Sequence, residues 1–179
     1  TRYTPALGIP ELREAVAGWY RERFGVAVSP QRIVITPGSS TGLQMLIGAL
    51  IDSGERVLLP DPGYPCNRNF VSLYGGEPVS LPVTMANGWV PTPEQIGQQW
   101  DSRTRALVIA TPSNPTGAVL TLDQLGGISA RVAELGGALI VDEIYQGLSY
   151  EVEPITALSL DTDYLFVVNS FSKYFGMTG

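Results

Sequence analysis

The sequence has no histidine and a single cysteine, Cys66. The first absence excludes a Ser-His-Asp triad, and together the two exclude the usual Cys/His zinc sites and any intrachain disulfide. Positive charge is scarce and unclustered: 11 Lys and Arg against 17 Asp and Glu leave a net charge of −6. The basic footprint of a nucleic-acid binder is therefore missing, and no nucleic-acid partner is expected. No apolar run approaches the length of a membrane span, and the opening residues "TRYTPALGIP" lack the basic-then-apolar form of a signal peptide. This predicts a cytoplasmic chain with no membrane partner. A Walker lysine motif and a GxGxxG fingerprint are also lacking, which disfavours P-loop and dinucleotide folds. Internal repeats and linkers are not seen.

What is present suits one ordinary globular domain or a large part of one, with 179 residues and 44% hydrophobic content. Short runs rich in Val, Ile and Leu recur: "RIVIT" (32–36), "RVLLP" (56–60), "PVSLPV" (78–83), "RALVIA" (105–110), "ALIVD" (138–142) and "YLFVVN" (164–169). Continuous apolar runs of this length predict buried strands. Helical patterns lie between them. "PELREAVAGWYRERFG" has Pro10 in its first turn, places Leu12, Val16, Trp19, Tyr20 and Phe24 along one side, and stops at Gly25. Thr92 with Gln95, and Thr121 with Gln124, fit the capping box that starts a helix. Alternation of this kind predicts an α/β sheet with helices on both faces.

In such sheets ligands bind at the carboxyl ends of the strands. The residues that follow the runs are "PGSSTG", "DPGYP", "TPSNPTG", "DEIY" and "SFSK", each polar or glycine-rich. Taken singly, each has a plain structural account. Ser39 and Ser40 fit a helix cap as well as a phosphate cradle opened by Gly38. Asp142 fits a carboxylate held by nearby amides. Asn114 fits a turn before proline, Tyr64 and Tyr145 fit edge packing, and Lys173 fits a solvated loop.

Taken together, "NPTG" at 114–117, "DEIY" at 142–145 and "SFSK" at 170–173 resemble the signature of the pyridoxal-phosphate aminotransferases of fold type I, class I/II. "YTPALGIPELREAV" and "PGSSTGL" resemble the segments that precede these motifs, so the likeness covers essentially the whole chain. The resemblance implies a three-layer α/β/α large domain over residues 1–179 with a mostly parallel sheet. It also implies that the chain stops before an antiparallel seventh strand, and that an N-terminal arm and a C-terminal small domain lie outside it.

The implied chemistry explains the residue types. Lys173 would form the Schiff base with the aldehyde of pyridoxal phosphate and, once free, move a proton. A cationic ring nearby and partial desolvation would lower its pKa. Asp142 would keep the ring nitrogen protonated, so that the ring accepts the carbanion's electrons. Tyr145 and Asn114 would hydrogen-bond the ring's phenolic oxygen, and Tyr64 would stack on its face. Ser39, Ser40 and Ser170 would take the phosphate, with the role of Ser172, adjacent to Lys173, left open. Tyr3 resembles the tyrosine by which one subunit touches the phosphate held in the other, which implies a homodimer. Cys66 is read as packing.

The implied activity is transfer of an amino group from an L-amino acid to a 2-oxo acid. A lyase or decarboxylase on the same scaffold is the second reading, and the effector domain of a transcription regulator the third. "PGSSTGLQML" and "DPGYP" lean toward neutral donors over aspartate. The arginine that grips the substrate carboxylate belongs to the small domain.

Overall fold

The computed structural model describes residues 3–178. Its helices are α1 (Pro10–Phe24), α2 (Ser39–Leu50), α3 (Cys66–Leu73), α4 (Pro93–Gln99) and α5 (Leu122–Glu134). Its strands are β1 (Arg56–Asp61), β2 (Glu77–Pro82), β3 (Thr104–Ala110), β4 (Ala138–Asp142) and β5 (Leu165–Val168). The five strands form one sheet in the order β2-β1-β3-β4-β5, and every pairing is parallel.

Side chains alternate across the sheet and feed two cores. Leu58, Leu107, Ile109, Leu139 and Val141 pack toward Ile96 of α4 and toward Leu125, Ile128 and Val132 of α5. Their strand neighbours Val57, Leu59, Ala106, Val108 and Ile140 pack on the other face against Leu43 and Ile47 of α2 and Val71 of α3. A strand buried on both faces has no solvent side, which is why these runs are continuously apolar. Each buried Leu, Ile or Val contributes about 1.5–3 kcal/mol relative to exposure. The sheet is thereby a rigid base for whatever stands at its carboxyl end.

Local signals set the helix ends. Gly25 takes the left-handed conformation (φ 70°), its N–H donating to the Arg21 carbonyl and the next N–H, of Val26, to that of Tyr20, closing α1. Both expected capping boxes are present, with Thr92 accepting from the Gln95 amide and Thr121 from the Gln124 amide. Charge pairs gather at the opposite end of the sheet from the motifs: Arg56 with Asp101 and Glu77, and Arg105 with Glu55.

One expected strand differs. In "RIVIT", Pro30–Arg32 form a 3-10 turn and residues 33–36 continue without joining the sheet. Their backbone tie is the Ile35 amide to the Leu7 carbonyl at 3.0 Å. The pattern is strand-like, but a strand exists only where a neighbour supplies a ladder. Among the described residues β5 pairs on one side alone, with β4, and residues 33–36 and β5 line the same cavity without bonding across it.

Candidate active site

The turn after "RIVIT" brings Gly38 to φ 84° immediately before α2. The Thr36 hydroxyl donates to the Gly38 carbonyl at 2.8 Å. The first intrahelical bond there is Gly42 N–H to Gly38 O, so the amides of Ser39, Ser40 and Thr41 precede the ladder. Open amides at a helix N-terminus, with two serine hydroxyls, suit an anion.

Ser39 and Ser40, Tyr64 after β1, Asn114 after β3, Asp142 and Tyr145 at β4, and Ser170 and Lys173 after β5 all line one cavity of about 1700 Å³. Residues far apart in sequence meet there because each directly follows a strand, or the "RIVIT" run, whose carboxyl end points the same way. Asn114 donates through Nδ2 to the Tyr145 hydroxyl at 3.4 Å. The Lys173 Nζ stands 6.0 Å from the centre of the Tyr145 ring.

Asp142 is 7% exposed. Its Oδ1 accepts from the Ile144 amide at 3.1 Å. Burial pushes its carboxyl up to about 6, against that single amide. A buried acid with one amide donor and a face on a cavity is suited to a cationic group brought by a ligand. Beside Tyr64, the Cys66 thiol raises the phenol above its ordinary value, partial burial adds to the rise, and the Ser40 hydroxyl opposes it.

Ser172, whose role the sequence leaves open, places its hydroxyl 2.8 Å from that of Ser170, and both line the cavity. Lys173 is exposed to the cavity, so the expected partial desolvation is not supplied by the described residues. Tyr3 is fully exposed and does not line the cavity of its own chain. Cys66 is half-buried, starts α3 and adjoins Tyr64.

Sequence reasoning also passed over two features. Lys173 is the only lysine in the sequence, so the one lysine amine of the chain lines the cavity where these strand ends converge. Glu143, beside Asp142, is fully buried. Burial pushes its carboxyl up to about 7, opposed by donors from Ala157, Thr156 and Gln146, while the Asp142 charge adds to the rise. An acid directly after an apolar strand was the available signal.

The donor set fits pyridoxal phosphate on the features just described: a buried carboxylate for a cationic ring nitrogen, hydroxyls and open amides for a phosphate, and one amine on the same cavity. Among the described residues no cluster of His, Cys, Asp and Glu could hold a metal ion, and no helix is long and apolar enough to cross a membrane.

Comparison with known proteins agrees with this arrangement. The family model for aminotransferase class I and II matches residues 1–179. A valine–pyruvate aminotransferase of Mycobacterium tuberculosis is 43% identical over 178 residues, which are 99% of this chain and 46% of that protein. An aspartate/prephenate aminotransferase of Thermus thermophilus is 36% identical over 179 residues, covering 100% of this chain and 46% of that protein. Among solved structures, an aromatic aminotransferase from Pyrococcus horikoshii OT3 superposes with a TM-score of 0.94 at 35% identity, over 100% of this chain and 49% of that one. An aminotransferase from Mycobacterium tuberculosis gives 0.92 at 42% identity, over 98% and 48%. The chain spans about half the length of the curated relatives it matches. With these motifs on this parallel sheet, and a family match from end to end, the chain belongs to the class I and II aminotransferases, the aspartate aminotransferase-like group of fold type I.

Proposed function

We propose that the full-length protein is a pyridoxal-phosphate-dependent aminotransferase that moves an amino group from an L-amino acid to a 2-oxo acid. The observation that carries this reading is the convergence of Lys173, Asp142, Asn114, Tyr145, Tyr64 and the serines on one cavity. When bound, pyridoxal phosphate supplies an electron sink for the pair left as the substrate Cα–H bond breaks.

The remaining roles belong to this chain. Lys173 Nζ would anchor the cofactor covalently and, when free, would take the proton from the substrate Cα. Asp142 holds the ring nitrogen in its cationic form, and a positive partner would in turn draw the Asp142 carboxyl back toward its ordinary range. Asn114 and Tyr145, already joined to each other, orient the ring oxygen. Tyr64 packs on the ring face. Ser39, Ser40, Ser170 and Ser172 bind the phosphate, with the α2 N-terminus adding its dipole.

A neutral aliphatic donor with pyruvate as acceptor is favoured, because the valine–pyruvate relative is more similar to this chain than the aspartate/prephenate one. The protein acts as a homodimer in which Tyr3 serves the neighbouring site, in keeping with its full exposure. The residues that grip the substrate carboxylate lie in a small domain outside the chain described.

The test uses full-length protein. Borohydride reduction should fix the cofactor to the Lys173 peptide, and Lys173→Ala should abolish both this adduct and turnover. A panel of amino donors with pyruvate and with 2-oxoglutarate then assigns the substrate. A Lys173→Ala protein with normal transamination would end the proposal.

A further inference from the structure

A run of polar side chains leads from the buried interior to the cavity wall at Tyr20 and Asn169, and every bond in it has a fixed direction. Glu143 is its fixed point. Its Oε1 accepts from the Ala157 amide at 2.6 Å, and its Oε2 accepts from the Thr156 hydroxyl at 3.0 Å and from Gln146 Nε2 at 2.8 Å. The Thr156 hydroxyl oxygen already accepts from the Leu158 amide, so its hydrogen is free to point at Glu143. All three partners therefore present hydrogens, which is what a carboxylate requires.

That choice orients the next group. Gln146, 5% exposed, directs its Nε2 to Glu143 and to the Ile155 carbonyl, both acceptors. Its Oε1 must then face away, and it accepts from Asn169 Nδ2 at 3.0 Å. The same Nδ2 donates to the hydroxyl of buried Tyr20 at 3.2 Å. Both amide hydrogens of Asn169 are thus committed, and its Oδ1 is left to accept the Ser170 N–H at 2.8 Å.

Ser170 begins the segment that carries Lys173. Among the described residues, the hydrogen bonds of 170–178 are internal or go to Asn169: Ser172 N–H to Ser170 Oγ, the Ser170–Ser172 hydroxyl contact, and Met177 N–H to Phe171 O. The polar fastening of the lysine turn to the body of the domain accordingly runs through one side chain. Asparagine alone offers two donors and an acceptor at this reach. Aspartate would face the Gln146 Oε1 with an oxygen, and leucine would leave that Oε1 and the Ser170 amide without partners.

We propose that Asn169 is a positioning residue for the lysine turn: it passes the orientation fixed at buried Glu143, through Gln146, to the Ser170 amide, and so sets the Ser170 and Ser172 hydroxyls and Lys173 opposite Asp142. The functional importance of that setting rests on the reading given under Proposed function. The hydrogen-bond relay itself does not.

The experiment uses full-length protein freed of cofactor, with wild type, Asn169→Leu and Asn169→Asp compared by residue-resolved amide hydrogen exchange. Affinity for added pyridoxal phosphate is measured on the same samples. Both variants should speed exchange over Ser170–Lys173 roughly tenfold or more, as loss of one or two hydrogen bonds implies, with β3 and β4 unchanged. Cofactor affinity should fall by a similar factor. If Asn169→Leu does not fold, Asn169→Asp decides, because it keeps the size and one acceptor. Wild-type exchange in the turn would overturn the proposal, and so would acceleration that is equal in β3 and β4. A wild-type protein that binds no pyridoxal phosphate would refute the functional reading, while the exchange arm would still decide the role of Asn169.

Discussion

The Asn114 side chain donates to the Tyr145 hydroxyl across 3.4 Å, tying the loop after β3 to the turn after β4 beside the cavity that both line. Two residues bonded to each other on the wall of one cavity should not act independently. Asn114→Ala and Tyr145→Phe should each weaken pyridoxal-phosphate binding. The double variant should lose less than the two losses combined, with a coupling of about 0.5–1.5 kcal/mol. Dissociation constants for the four proteins measure this. Strict additivity would mean that the pair is not a unit.

Asp142 should make the cofactor-free protein sensitive to pH. Its carboxyl is raised from 3.8 to about 6 by burial, so the folded protein binds this proton more tightly than the unfolded chain does. Stability therefore falls as pH rises from about 4 to about 6. Asp142→Asn removes that slope and should leave the cofactor-free protein on the order of 2–3 kcal/mol more stable than wild type above pH 7, with no difference below pH 4. The same variant should lose most turnover with a smaller loss of cofactor occupancy, since the charge acts mainly in the transition state. Denaturant melts across pH, together with turnover, check both halves.

Tyr3 should act across a subunit boundary. Mixing Lys173→Ala subunits with Tyr3→Phe subunits gives heterodimers in which one site carries both defects and the other carries neither. Activity should recover above either parent. No recovery after demonstrated subunit exchange would place Tyr3 outside the neighbouring site.

Residues 1–179 expressed alone should aggregate and bind pyridoxal phosphate weakly. β5 has an unpaired edge among the described residues, and Val34 is 46% exposed on the segment that lines the same cavity. Unpaired apolar edges of this kind recruit other chains. Sedimentation and thermal melts decide it. A soluble, cooperatively melting monomer would contradict the expectation.

β1, β3 and β4 were legible in the sequence because burial on both faces writes a continuous apolar run, and "ALIVD" matches β4 at both ends. The "RIVIT" run reads the same way, yet its state depends on a ladder partner that no local pattern encodes. The site residues could be found because each directly follows such a run. The relay through Asn169 could not, because Tyr20, Gln146 and Asn169 lie on three separated segments and meet only once β5 is laid beside β4. The side taken by Ser172 could not be read for a related reason: alternation predicts facing within a strand, and the chain has already left the strand at Ser170.

Asp142 and Glu143 are adjacent acids with different dependents, one facing the cavity and the other holding Ala157, Thr156 and Gln146. In a mutational survey scored separately for abundance and for growth on the product, the two positions should part company. Substitutions at Asp142 should leave plentiful but idle protein. Those at Glu143, including the isosteric glutamine that sets a donor against a donor, should lower abundance and activity in step.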